Sequence, residues 1–127
     1  MTDNRELIER FTQAWTKRDV AAVMALMTDD CEFYPSVGPE PGGSYFGREE
    51  VTRAYNSYIG GPADPAVTAG PTTVHIGDTF AVTQWSTRIE RPGEEIVTVF
   101  GCDVFLFERG AIKSKATYRK VAGPPPC

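Results

Sequence analysis

The 127-residue sequence contains one histidine, which leaves little material for a multi-imidazole metal centre. That residue, His75, stands between Val74 and Ile76 near an expected strand end. No carboxylates surround it at ligand spacing, so a structural or edge role and no metal are expected. Cysteine is also scarce: three residues, none in a CxxC arrangement. Cys31 and Cys102 sit in apolar runs, where a free thiol packs as a small hydrophobe. Cys127 follows Pro124, Pro125 and Pro126 on what reads as an exposed tail. No apolar run approaches the ~20 residues needed to cross a bilayer. The segment 1–6 lacks the basic start and apolar stretch of a secretory leader, so a cytoplasmic location with no membrane partner is expected. Basic charge is not in excess either. A net charge of −4 argues against nucleic acid as a partner. Lys113, Lys115 and Arg119 alternate along an expected strand, with Lys120 beyond them, and read as a solvated face. No nucleophile elbow, phosphate loop or dinucleotide fingerprint occurs, so no cofactor is expected.

What is present is the composition of a globular domain, 41% hydrophobic and 24% charged. Leu7, Ile8, Phe11, Ala14 and Trp15 recur at helical spacing behind a capping pair, Asp3 and Glu6. Val20, Val23, Met24 and Met27 repeat the pattern behind Asp19, an expected N-cap. A short extended run over 31–34 stops at Pro35. Residues 35–46 are rich in proline and glycine and form a loop long enough either to rim a pocket or simply to connect elements. A third helix is expected from Arg48, with Val51, Ala54, Tyr55, Tyr58 and Ile59 inward and a stop at Gly60-Gly61-Pro62. Four β-rich runs follow at 67–75, 79–90, 95–108 and 111–120. Turn residues separate them at Gly77-Asp78, Pro92-Gly93 and Arg109-Gly110. Helices first and strands afterwards predict an α+β fold, three N-terminal helices on one face of a curved antiparallel sheet. One domain over 1–121 and a flexible proline-rich tail over 122–127 are expected.

Asp103 is the most informative position. With a period of two, Val97, Val99, Gly101, Asp103, Phe105 and Phe107 share a face, and an aspartate among them faces an apolar interior. A carboxyl there either rises in pKa or finds a partner. A raised carboxyl in a pocket can give a proton or a hydrogen bond to a ligand oxygen. The alternative is a covered core in which Asp103 pairs with Arg88 or Arg119. Tyr34, Tyr55 and Tyr118 can supply hydroxyls, and Phe11, Trp15, Trp85, Val99 and Phe105 apolar walls. On these grounds Asp103, Tyr34 and Tyr55 are the candidate catalytic residues. Tyr118 is placed on the last strand with Ile112, Ser114 and Ala116, and counted among the ligand-binding walls.

Over nearly its full length the sequence resembles the nuclear transport factor 2-like superfamily, in particular its SnoaL-like members. The resemblance is carried by Phe11-Thr-Gln-Ala-Trp15, the run 19–30, Gly47-Arg-Glu-Glu-Val51, Gly101-Cys-Asp-Val-Phe-Leu-Phe107 and the run 110–120. It implies a cone-shaped roll with a deep pocket between helices and sheet, commonly a homodimer paired through the sheet. Set against ketosteroid isomerases, Asp103 matches the protonated aspartate of the oxyanion hole and Tyr55 the supporting tyrosine on the third helix. Phe11 stands where those enzymes carry a tyrosine, and Tyr34, before Pro35, where they carry the proton-shuttling aspartate. The related epoxide hydrolases use an arginine with two aspartates, and Thr117 takes the place of the second. The resemblance implies a small-molecule enzyme of isomerase, cyclase or hydrolase type acting on an apolar carbonyl or polycyclic compound. A non-catalytic ligand-binding or dimerisation module of the same fold is the alternative.

Overall fold

The structure is a computed structural model that describes residues 3–38 and 43–120. The tail, Cys127 and the middle of the proline-rich loop lie outside the described residues. Helix α1 spans Asn4–Thr16, and the Asp3 side chain accepts a hydrogen bond from the Glu6 N–H as its N-cap. It buries Leu7, Ile8, Phe11 and Ala14, the stripe its spacing dictates. Leu7, Ile8 and Phe11 each contribute roughly 1.5–3 kcal/mol by leaving water. Arg18, in the left-handed region at φ 59°, turns the chain after α1. Its guanidinium donates to the carbonyls of Gly61 and Tyr58.

Helix α2 is a short turn, Val20–Met24, capped by Asp19. Met27 is not its continuation, as helical spacing predicts, but the first residue of strand β1, Met27–Tyr34. Arg48 explains the early stop. It opens helix α3, Gly47–Ile59, and donates to the carbonyls of Met24 and Met27 at 2.9 and 3.0 Å. Those two acceptors are thereby satisfied outside a helix. Strand β2, Tyr45–Phe46, closes the proline-rich loop against β1.

The remaining strands are β3 (Val67–Ala69), β4 (Thr73–Ile76), β5 (Phe80–Ile89), β6 (Val97–Glu108) and β7 (Ala111–Arg119). The single strand expected over 67–75 is two, because Gly70 and Pro71 interrupt it, yet both pieces pair with β5. Sheet order is β2-β1-β7-β6-β5-β3, antiparallel except that β1 runs parallel to β7. The helices cover one face. The core forms where Leu7, Ile8, Phe11, Val51 and Tyr55 meet Phe33, Ala81, Phe105 and Ile112 of the sheet. Among the described residues no helix is long and apolar enough to cross a membrane.

Register in the β6–β7 hairpin decides which side chains reach the interior. Arg109 and Gly110, both at positive φ, form the two-residue turn that pairs Glu108 with Ala111 and Phe107 with Ile112. The register then shifts by one at Lys113, so that Leu106 faces Ser114, Phe105 faces Lys115 and Asp103 faces Thr117. Lys113 is the extra residue of this β-bulge. Its ammonium is drawn to β1, 2.7 Å from the Asp30 carbonyl and 2.7 Å from the Asp30 carboxylate. Beyond a bulge every side chain changes face.

Candidate functional site

A cavity of about 490 Å³ lies between the inner sheet face and the helices, within the range of small-molecule sites. Phe11 and Trp15 of α1, Phe33 of β1, Trp85 of β5 and Phe105 of β6 give it apolar walls. Trp85 lies against β6 because residue 101 is glycine. A Cβ at Gly101 would collide with the indole and stand 2.6 Å from the Tyr118 carbonyl oxygen.

Asp103 points into this cavity. Its carboxyl has found partners. The Thr117 hydroxyl donates to one oxygen at 2.7 Å, and the Thr83 hydroxyl to the other at 3.4 Å. Neither arginine considered as a partner takes that role. Arg88 stands beside Glu90 at 3.7 Å on the surface, and Arg119 lines the cavity without bonding Asp103.

The tyrosines are not gathered around Asp103 as expected. Tyr34 is on the outer face of β1, where its hydroxyl donates to Glu32. That bond raises the Tyr34 pKa, burial adding to it. In an eight-residue strand whose Cys31 and Phe33 face the core, Tyr34 must face away. Tyr118 is also outside, 59% exposed, because the Lys113 bulge reverses the parity that would have set it beside Ile112. Tyr55 is inward but belongs to the core, packed edge-on to Trp15 and tilted on Phe33. Its hydroxyl is buried without a hydrogen-bond partner among the described residues. Burial first, then the neighbouring Cys31 and Asp103, pushes its pKa well above the ordinary phenol value. Val99 shares the face of Asp103 but lies beyond the residues that line the cavity. Phe11, Trp15, Trp85 and Phe105 do line it.

The reversal that removes Tyr118 delivers Lys115, which is a correction to its reading as a solvated residue. Lys115 is 5% exposed and lines the cavity. Its ammonium lies 3.7 Å from the Trp15 ring centroid, 5.3 Å from that of Phe33 and 5.8 Å from that of Phe11. Among the described residues it has neither a hydrogen-bond acceptor nor an ion-pair partner, whereas Lys113 has both. Burial lowers its pKa, opposed by the Asp103 carboxylate. The rings favour the charged form by about 2 kcal/mol, whereas desolvating an ammonium costs several kcal/mol, so burial prevails. Its one sequence signal is the alternation with Thr117 and Arg119 opposite Asp103, and the bulge hides even that. His75 is exposed, 3.2 Å from the Gln84 side-chain oxygen. Among the described residues the charged groups lining the cavity are Arg18, Lys115, Arg119 and Asp103. The pocket is therefore cationic in a chain that is acidic overall.

The fold is shared with solved structures of low sequence identity. A protein of unknown function from Mesorhizobium loti, described as NTF2-like, is 18% identical with a TM-score of 0.75, covering 95% of this chain and 98% of its own. An NTF2-like protein from Burkholderia thailandensis is 17% identical with a TM-score of 0.74, covering 94% and 92%. SalBIII, described as an epoxide hydrolase/cyclase-like enzyme with a role in pyran ring formation in the polyether salinomycin, is 19% identical with a TM-score of 0.68, covering 91% and 89%. No curated protein matches the sequence. Residues 8–115 match the SnoaL-like domain, from the first helix through the lysine of the pocket, and the chain belongs to that family.

Proposed function

We propose that the protein is a small-molecule enzyme that works on an apolar carbonyl or polycyclic compound, with Asp103 as its acid/base group. One observation carries this reading: a carboxyl held by two threonines inside a cavity of about 490 Å³ that Phe11, Trp15, Phe33, Trp85 and Phe105 help to wall. A threonine-held carboxylate keeps a fixed direction, and apolar walls exclude the water that would compete with a ligand. The cationic lining suits electron-rich oxygens. SalBIII, a structural neighbour described as epoxide hydrolase/cyclase-like, supports small-molecule chemistry as a possibility for this fold. Trp15, Trp85, Phe11 and Phe105 form the binding walls. Tyr55 acts from behind them, and Tyr34 has no part in this version of the site.

The test is a panel of small apolar ketones, enones and epoxides, followed by mass spectrometry for conversion. For any compound turned over, Asp103→Asn should slow the reaction by about 10²-fold or more; unchanged turnover sinks the role of Asp103. Saturable binding without conversion of any compound favours the second reading, a ligand-binding module, which the absence of a second carboxylate in the cavity supports among the described residues.

We also propose a homodimer paired through the outer sheet face. Phe80, Phe100, Leu106 and Tyr118 all stand exposed there, a concentration of apolar surface that isolated domains seldom leave to solvent.

A further inference from the structure

Asp103 and Lys115 both line the cavity, and the acid/base reading gives a role only to Asp103. We propose that the Lys115 amine is a carbonyl-reactive nucleophile that holds a small apolar aldehyde or ketone as a Schiff base. The proposal rests on the reading of the cavity as a small-molecule site and names the chemistry of its ligand.

Geometry carries it. The amine stands inside a cavity large enough for a guest and, among the described residues, has no ion pair or hydrogen bond to give up on reacting. The groups around it are few: the rings of Phe11 and Trp15 from α1, Phe33 from β1 and Tyr55 from α3. Among the described residues the titratable groups that share its cavity are Asp103 on β6, Arg119 on its own strand, Arg18 after α1 and Tyr58 on α3, with the Tyr55 ring beside the amine. Since Phe105 faces Lys115 and Thr117 faces Asp103, Lys115 and Asp103 are diagonal neighbours on one sheet face, roughly 7–8 Å apart at the backbone. Both side chains line the cavity that would take the carbonyl group. Burial adds to this by favouring the neutral, nucleophilic amine.

The chemistry closes without a redox partner. The neutral Nζ lone pair attacks the carbonyl carbon, and the C=O π pair moves onto oxygen. The Asp103 carboxylate takes a proton from the cationic nitrogen and passes it to that oxygen, giving a carbinolamine. The nitrogen lone pair then expels the hydroxyl, which leaves as water with a proton from solvent. One amine, one carbonyl and one proton become one iminium and one water. The iminium cation is left between the Trp15 face and the Asp103 carboxylate, both of which stabilise it.

The experiment treats the full chain with 2-naphthaldehyde and sodium cyanoborohydride at neutral pH, then maps the reduced adduct by peptide mass spectrometry. Label should accumulate on Lys115 at least about tenfold faster than on Lys17 or Lys120, which are exposed and lie outside the cavity. The comparison is made within one molecule, so it survives if a variant fails to fold. In Lys115→Met the fast label should vanish, and in Asp103→Asn it should form more slowly. Binding of 2-naphthylmethanol, which has no carbonyl, is followed in parallel by tryptophan fluorescence. If the alcohol binds saturably while Lys115 labels no faster than Lys17 and Lys120, the amine proposal is overturned and the pocket reading stands. If neither the alcohol binds nor Lys115 is labelled, both are overturned.

Discussion

Lys115 and Asp103 share a cavity, but their surroundings treat them differently. Asp103 keeps two hydroxyl donors, whereas Lys115 is 5% exposed with only rings beside its ammonium. Lys115→Met, which keeps an unbranched chain one atom shorter and removes the amine, should therefore stabilise the fold by about 1–3 kcal/mol at neutral pH. The sign of its pH dependence follows from the lowered pKa. In the unfolded chain lysine titrates near 10.5 and in the folded protein below it. Between those two values the unfolded state binds more protons, so wild-type stability rises with pH, while a methionine at 115 contributes no such rise. The advantage of Lys115→Met should shrink as pH climbs toward 10.5, measured by urea denaturation of both proteins across the range. An advantage that stays constant would mean that the amine holds its proton equally well folded and unfolded.

Elements set these two residues in place, and a single inserted residue decides the outcome. A plain hairpin from the Arg109-Gly110 turn would have set Ser114 opposite Phe105 and Tyr118 opposite Gly101, giving the tyrosine-lined pocket that two-residue alternation predicts. Lys113, pulled toward Asp30 and Glu32 on β1, shifts the register and substitutes Lys115, Thr117 and Arg119. Alternation along β6, which has no bulge between Val97 and Phe105, was legible, and Asp103 with it. Alternation along β7 was not, because the partner that draws Lys113 out lies more than eighty residues earlier, at Asp30. Gly101 tests the same hairpin from the other side. Gly101→Ala should cost roughly 1–3 kcal/mol through overpacking against Trp85 and change the tryptophan emission. Gly61→Ala, where a Cβ meets nothing within 4 Å, should stay within about 0.5 kcal/mol. Equal thermal shifts in the two variants would remove Trp85 from the cavity wall.

At the scale of the whole molecule, the apolar surface on both sides of β6 has two destinations. Its inner side chains meet the helices and the cavity. On its outer side Phe100 and Leu106 are 53% and 48% exposed and await a partner. Sedimentation velocity should find a dimer, and Leu106→Lys paired with Phe100→Lys should shift it to monomer without loss of secondary structure. A wild-type monomer at tens of micromolar would leave the outer face without its proposed occupant.

The α+β class, the bounds of α1 and α3, the capping by Asp3 and Asp19 and the inward aspartate were fixed by short-range patterns. Helical and strand periods, and caps three residues away, are properties of neighbouring residues, and a single sequence carries them in full. The end of α2 at Met24, the burial of Lys115 and the exile of Tyr118 came only with tertiary structure. Each depends on a contact distant in sequence: Arg48 on the carbonyls of Met24 and Met27, Lys113 on Asp30, and the parallel pairing of β1 with β7. Strand parity is a two-valued property. One residue of slip, stabilised by an ion pair from another strand, exchanges the two faces and with them the contents of the pocket.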